Sequence, residues 1–256
     1  MNFPMMIRYQ EYPPCPALAP YLACLWTCTV QPGTSAYSHR VLPDNCIDIL
    51  WHDSDPLGGV AGMMTRAIHV PFARPVRTLA VRFKPGAAAY FFDMPLHELA
   101  DLHPSLADLW GASWAGRCAD ALWSAPLADR AALGALERLL LARLRLSQRR
   151  TGLVEHALAA IELSHGNVRI EHLAASLGVS RQHVSSLFRA QVGLSAKLFA
   201  RVCRFQRASA LFKQLDVRGT DMAAMALDLG YYDQAHMIHE FRALSGSTPQ
   251  SFANAR

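Results

Sequence analysis

Apolar and polar positions change their period part-way along the chain. Up to Lys84 they alternate. YLACLWTCTV places Leu22, Cys24, Trp26, Cys28 and Val30 on one face of an extended segment, and the short runs HRVLP, CIDILWH, GGVAG, RAIHV and VRTLAVRFK follow, separated by Pro, Gly, Asp and Ser. Short strands broken by such turns predict a small antiparallel sheet or barrel. After Lys84-Pro85-Gly86 the pattern becomes helical, through AAAYFFDMPLHELADL and DRAALGALERLLLARLRL. In the second of these, Leu133, Leu136, Leu140 and Leu144 approach heptad spacing. That stripe could pair two copies of the chain, but its shortness favours packing onto its own domain. A basic, polar stretch ending in SQRRTG reads as a linker. The boundary is placed near Arg150, giving a first domain over 1–150 and a second over 151–256.

The second domain contains a repeat. LAASLGVSRQHVSSLFRAQVGLSA starts at Leu173 and LDLGYYDQAHMIHEFRALSGSTP at Leu227. Leu177-Gly178 recurs as Leu229-Gly230 at an offset of 52; after one extra residue in the second turn, Phe188-Arg189 and Gly193 recur as Phe241-Arg242 and Gly246 at 53. Each copy predicts a helix that stops at a glycine, a Ser or Asp that caps a second helix, and an apolar spine at helical spacing: Val184, Leu187 and Phe188 in one, Met237, Phe241 and Leu244 in the other. Helix, glycine-bearing turn and helix is the form of a helix-turn-helix, whose second helix enters a DNA major groove. The whole chain is therefore expected to be α+β: a β-rich, barrel-like N-terminal domain with flanking helices, then an all-α region of two such units, each with its own spine and able to fold and bind DNA without the N-terminal half.

The segment GYYDQAHMIHEFRALSGSTPQSF resembles the signature of the AraC/XylS family of transcription regulators, and the resemblance covers roughly the last 100 residues. It implies a long helix joining the two units, which SAKLFARVCRFQRASALFKQL fits, with Leu198, Val202, Phe205 and Leu211 on one stripe. Ala196 stands where the family has proline, which bears only on how sharply that helix starts. By position, the first reading helix would offer Ser180, Arg181, Gln182, Ser185, Ser186 and Arg189 to DNA. The second would offer Gln234, Ala235, His236 and His239. Gln pairs bidentately with adenine and Arg with guanine or phosphate, while Ser and His serve either role more weakly. The alternative is that these are solvated polar positions, and His236, near a helix start, could equally bond the backbone or a neighbouring carboxylate. The segments RVLPDNCIDILW and LAVRFKPGAAAYFF resemble sensor-like N-terminal domains fused to one subgroup of the family; no activity follows from that.

Charge refines this picture. The net charge of +5 permits a polyanionic partner, and its distribution is uneven. Between Gly166 and Leu215 the bases Arg169, Arg181, Arg189, Lys197, Arg201, Arg204, Arg207 and Lys213 face the single acid Glu171, whereas the stretch after Leu215 is slightly acidic. The first unit is thus expected to supply most phosphate contacts. In the N-terminal domain Arg40, Asp44, Asp48 and Arg82 fall in or beside apolar strand-like segments. With Trp26 and Trp51 as walls they could form a pocket for a polar effector, although buried ion pairs give the same pattern.

The longest apolar run, ALAPYLACLWTCTV, is about 14 residues and broken by Pro20, too short to span a bilayer. No export signal is visible, so a cytoplasmic location and reduced thiols are expected. Cys24 and Cys28 fit a strand's apolar face better than a zinc site, and the sequence has no GxSxG, HExxH or phosphate-binding glycine loop. A DNA-linked enzyme with a thiolate site is the distant alternative, and no cofactor or metal is expected. The candidate partners are double-stranded DNA, a small-molecule effector, RNA polymerase and a second copy of the chain, with no membrane; the nearer alternative is a DNA-binding accessory protein whose N-terminal domain is structural only.

Overall fold

The computed structural model describes residues 6–31, 37–123, 129–144, 152–214 and 221–254. The linker and the domain boundary near Arg150 lie outside them. Among the described residues, seven strands form the N-terminal part: β1 (Met6–Tyr12), β2 (Leu22–Gln31), β3 (Tyr37–Val41), β4 (Asp48–His52), β5 (Asp55–Ala61), β6 (Ile68–Phe72) and β7 (Val76–Phe83). Five make an antiparallel sheet in the order β1-β2-β7-β4-β5, and β3 pairs with β6 as a separate ribbon. The fold is α+β, an antiparallel β domain followed by a helical region.

The sheet's core face does not follow the simple alternation expected of β2. The pairing register shifts between Leu22 and Cys24. Beyond the shift Leu25 faces Val81 and Thr27 faces Leu79, and Leu22, Leu25, Ile49, Trp51, Leu79, Val81 and Phe83 join the core. Cys24, Trp26 and Cys28 pair with Arg82, Ala80 and Thr78 and look the other way. One extra residue in a strand reverses every face after it, which period counting cannot detect.

The AAAYFFDMPLHELADL stretch holds two short 3-10 turns, Ala87–Tyr90 and Leu96–Leu99, in place of a longer helix. Pro95 lies between them and cannot continue a helix from Met94. Helices α1 (Leu106–Trp110), α2 (Ala112–Trp123) and α3 (Asp129–Leu144) then cover the core face. The leucine stripe on α3 is spent there: Leu133, Leu136 and Leu140 are buried within the same chain.

The helical region comprises α4 (Gly152–Leu163), α5 (Ile170–Ser176), α6 (Arg181–Val192), α7 (Ala196–Gln214), α8 (Met222–Asp228), α9 (Gln234–Ser245) and α10 (Pro249–Asn254). Its apolar residues fall into two cores. Leu158, Ile161, Leu173, Phe188, Val192, Leu194 and Phe199 join the core of the N-terminal domain. Val202, Phe205, Phe212, Met225, Leu229, Met237, Phe241, Leu244 and Phe252 form another. The division between them falls inside α7. The N-terminal domain also reaches the second core: Ala67 N–H donates to Leu244 O (2.8 Å), Arg40 donates to Ser247 Oγ (3.2 Å) and lies over the Phe252 ring, and Leu42 packs beside it. Between these contacts Gln206 donates to Pro43 O, and Asn45 Nδ2 donates to Phe199 O (3.1 Å).

Candidate nucleic-acid interface

The two repeats build matching local geometry. In the first, Gly178 takes φ 66° after α5, and Ser180 Oγ accepts from His183 N–H at 3.2 Å to cap α6. In the second, Gly230 takes φ 81° after α8, and Asp233 Oδ1 accepts from His236 N–H at 2.7 Å to cap α9. Each cap satisfies a donor the helix leaves open and contributes about 1 kcal/mol. Gly230 also meets a steric limit, since a Cβ there would sit 2.9 Å from Asn167 Cγ. The helix joining the units starts at Ala196, where Ser195 Oγ accepts from Leu198 N–H, so a hydroxyl supplies the start without a proline.

The buried stripe of each second helix fixes its opposite face. On α6, Val184 and Phe188 are fully buried, while Arg181, Gln182, Ser186 and Arg189 are exposed and Ser185 is half-buried. With Arg169, Lys197 and Ala200 they line a cleft of about 1030 Å³. His97 of the N-terminal domain forms part of its wall, so that domain reaches the edge of this face. On α9, Met237, Phe241 and Leu244 are buried, and Gln234, Ala235, His239 and Arg242 are exposed. Phe241 packs against Phe205, Phe212 and Phe252 with centroids 5.0 to 5.4 Å apart. Leu229 shares that core, whereas Leu227 is 62% exposed and does not hold the helix.

His236 is half-buried and engaged on both nitrogens. Its Nδ1 accepts from Tyr232 N–H at 3.2 Å and its Nε2 lies 3.4 Å from Glu240 Oε1. Both local roles open to it in the sequence are thus filled. Glu240 is the structural centre of this unit: Arg201 Nε donates to Oε1 at 2.7 Å and Arg204 to Oε2 at 3.2 Å. Burial alone would raise its carboxyl, but the Arg201 and Arg204 guanidiniums hold it below the ordinary carboxylate value of 4.5. A depressed folded value stabilises the protein above 4.5, and that contribution is lost as pH falls through the folded value. Glu240→Ala is therefore expected to cost toward the lower end of roughly 3–5 kcal/mol at neutral pH, because both arginines retain some access to water. The penalty should shrink below pH 4.5, read from melts of both proteins across pH.

These contacts redistribute the basic excess. Arg201 and Arg204 hold Glu240, Arg207 donates to Asp228 O, Lys213 lies over Phe252, and Arg181 pairs with Glu171 at 3.0 Å. Arg169, Arg189 and Lys197 remain on the exposed cleft. Sequence reasoning passed over Tyr232, 84% exposed one residue before the α9 cap. The available signal was the extra residue in the second turn, which places a large side chain beside the helix start.

Of the six residues considered as an effector pocket, Trp26, Asp44, Asp48 and Arg82 come together and Arg40 and Trp51 do not. Asp44, Asp48 and Arg82 form one cluster in which Arg82 makes a bidentate pair with Asp48 (3.0 and 2.9 Å) and lies 3.5 Å from Asp44. Burial pushes the Asp48 carboxyl up against the pull of Arg82. Trp26 lies on the same face of the sheet as this cluster, beside Asp48, and packs on Tyr9. Arg40 instead faces the second helical unit, and Trp51 is fully buried in the core on the other face.

Comparison with known proteins now bears on this geometry. Residues 173–255 match the helix-turn-helix domain family, a span that contains both capped units and the joining helix. The C-terminal region is an AraC-type helix-turn-helix domain. Residues 10–105 match a domain of unknown function, DUF6597. No curated protein sequence matches the chain. Among solved structures, the 1.65 Å structure of ToxT from Vibrio cholerae is 7% identical with a TM-score of 0.47, covering 98% of each chain. A structure of ToxT from Vibrio cholerae O395 is 8% identical with a TM-score of 0.44, over 98% of this chain and 97% of that one. Unsaturated fatty acid bound ToxT is 9% identical with a TM-score of 0.40, over 97% and 94%. The AraC-type region makes this protein a DNA-binding regulator. Among its described residues no helix is long and apolar enough to cross a membrane.

Proposed function

We propose that the protein is a sequence-specific transcription regulator without enzymatic activity, acting in the cytoplasm, in which 151–256 read DNA and 1–150 respond to a small molecule. The observation that supports DNA reading most directly is the pair of capped helices, α6 and α9, each with a buried spine and exposed polar side chains over its first two turns. RNA polymerase and a second copy of the chain are further partners in this reading. Arg181, Gln182, Ser185 and Ser186 on α6, and Gln234, Ala235 and His239 on α9, supply base-edge and groove contacts, while Arg169, Arg189 and Lys197 neutralise phosphates. Selection of bound sequences from random DNA by the full chain tests it, and failure to enrich any motif would reject it. On the enriched site, Arg189→Ala and Lys197→Ala should each lower the slope of log affinity against log salt by about 0.9 for every phosphate no longer neutralised. Arg201→Ala should leave the slope unchanged, since that arginine is held by Glu240.

A second reading, in which the N-terminal domain is structural only, draws on a specific observation: its core continues into the first unit, and the charged residues considered for an effector pocket are paired with one another or with the second unit. A screen for small molecules that alter affinity for the selected site separates the two readings.

A further inference from the structure

The turn of the second helix-turn-helix unit is one residue longer than that of the first, and matching hydrogen bonds show which residue is the extra one. After Gly178, Val179 N–H donates to Ala174 O at 3.2 Å, and Ser180 follows directly as the α6 cap. After Gly230, Tyr231 N–H donates to Ala226 O at 2.9 Å, but the α9 cap is Asp233. Both bonds reach back five residues, so Tyr231 stands in the place of Val179 and Asp233 in that of Ser180. Tyr232 is the insertion.

The packing of this turn is done by Tyr231. It is 3% exposed, its ring meets His236 edge to face with centroids 5.6 Å apart, and the Arg204 guanidinium lies 5.5 Å over it. Tyr232 joins the fold through its main chain, whose N–H donates to His236 Nδ1 at 3.2 Å, yet the residue is 84% exposed. An apolar residue just before a cap often packs on the position four residues into the helix. Here that position is Met237, which belongs to the second core, and Tyr232 is left in water. The backbone on either side is held, by Gly230 against Asn167 and by the Asp233 cap. A tyrosine has few rotatable bonds and a rigid ring, so from such a fixed point it presents its hydroxyl at small entropic cost.

Residues early in a reading helix face base edges, and a residue set just ahead of them lies at the margin of the groove, where the sugar-phosphate backbone runs. The stretch after Leu215 is slightly acidic, and Arg201 and Arg204 are held by Glu240. A neutral donor suits a phosphate contact in such a unit. We propose that Tyr232 is a DNA-positioning residue: its hydroxyl donates to a phosphate oxygen at the margin of the groove that α9 enters, and its ring lies over the adjoining sugar. This rests on the reading that α9 enters DNA, and adds to it a contact that sets the register of the second unit without charge or base preference.

Binding of the full chain to its selected site, measured across salt concentrations, tests the proposal. Tyr232→Phe should weaken binding roughly fivefold to twentyfold, between an ordinary hydrogen bond and one to a charged group. The same factor is expected on single-base variants of the site, with an unchanged salt slope, because a phenol releases no counterions. Tyr232→Lys should steepen that slope by about 0.9 by neutralising the phosphate. Both variants should melt with the unsubstituted chain. Three results for Tyr232→Phe would overturn the proposal: unchanged affinity would leave the side chain to a protein partner, a loss confined to one base position would make it a base reader, and early melting would make it structural. An unchanged slope for Tyr232→Lys would place the residue away from the backbone and overturn it as well. If the unsubstituted chain enriches no sequence, the reading of α9 fails and this contact with it; if it enriches a motif that Tyr232→Phe binds equally well, the contact alone fails.

Discussion

Residues 151–256 expressed without the N-terminal domain are expected to lose the first helix-turn-helix unit while keeping the second. The first unit's apolar side chains, among them Leu158, Phe188, Val192 and Leu194, belong to the core that the β-sheet and its covering elements complete. Gly193 shows how close the packing is: a Cβ on it would sit 3.3 Å from Leu96 O. Each large apolar side chain returned to water forfeits about 1.5–3 kcal/mol, and a domain's whole stability is of the order of 5–15 kcal/mol. Exposing a handful of them therefore outweighs what α4, α5 and α6 keep among themselves. The second unit, with the latter half of α7, retains its separate core. Amide spectra of the fragment should show dispersed, protected signals for residues of α8 to α10 and collapsed ones for α5 and α6, with specific DNA affinity lost. A fragment with both units protected and full affinity for the selected site would show that the shared core is not needed.

Phe241→Ala and His239→Ala should have opposite effects. Phe241 is fully buried among three other phenylalanines, and removing its ring leaves a cavity in a core that cannot easily close over it. A loss of roughly 3–5 kcal/mol is expected, enough to unfold the second unit and to abolish binding through the fold. His239 lies two residues earlier, about 200° round the helix, and is exposed. His239→Ala should leave the melting temperature within experimental error and change which sequences are selected. Early melting of His239→Ala with a normal Phe241→Ala would mean that the faces of α9 are misassigned, and with them every contact proposed for that helix.

The parts of the molecule legible in the sequence are those governed by local rules. Gly178 and Gly230 in left-handed turns, Ser180 and Asp233 as caps, and the Met237, Phe241 and Leu244 spine are each set by residues within one helix and its turn. Long-range geometry was not legible. A single register shift in β2 reversed the faces of Cys24, Trp26 and Cys28, and the pairing of Arg201 and Arg204 with Glu240, more than 30 residues away, withdrew two arginines from the phosphate count. The same holds for Arg40, whose partners Ser247 and Phe252 lie at the far end of the chain. Composition gives the number of charges on a stretch, but only tertiary packing decides which of them water, DNA or another side chain receives.

The contact between Ala67 and Leu244 is made by main-chain atoms alone. Its chemistry is the same whatever side chains those positions carry, and at Ala67 only proline would delete the donor. Substitutions can therefore accumulate at either position without erasing the bond, provided the strand ribbon and the end of α9 keep their places. Two proteins could share this clasp between β domain and second reading unit while having no residue in common there, so a search for it among divergent sequences has to compare backbone paths rather than letters.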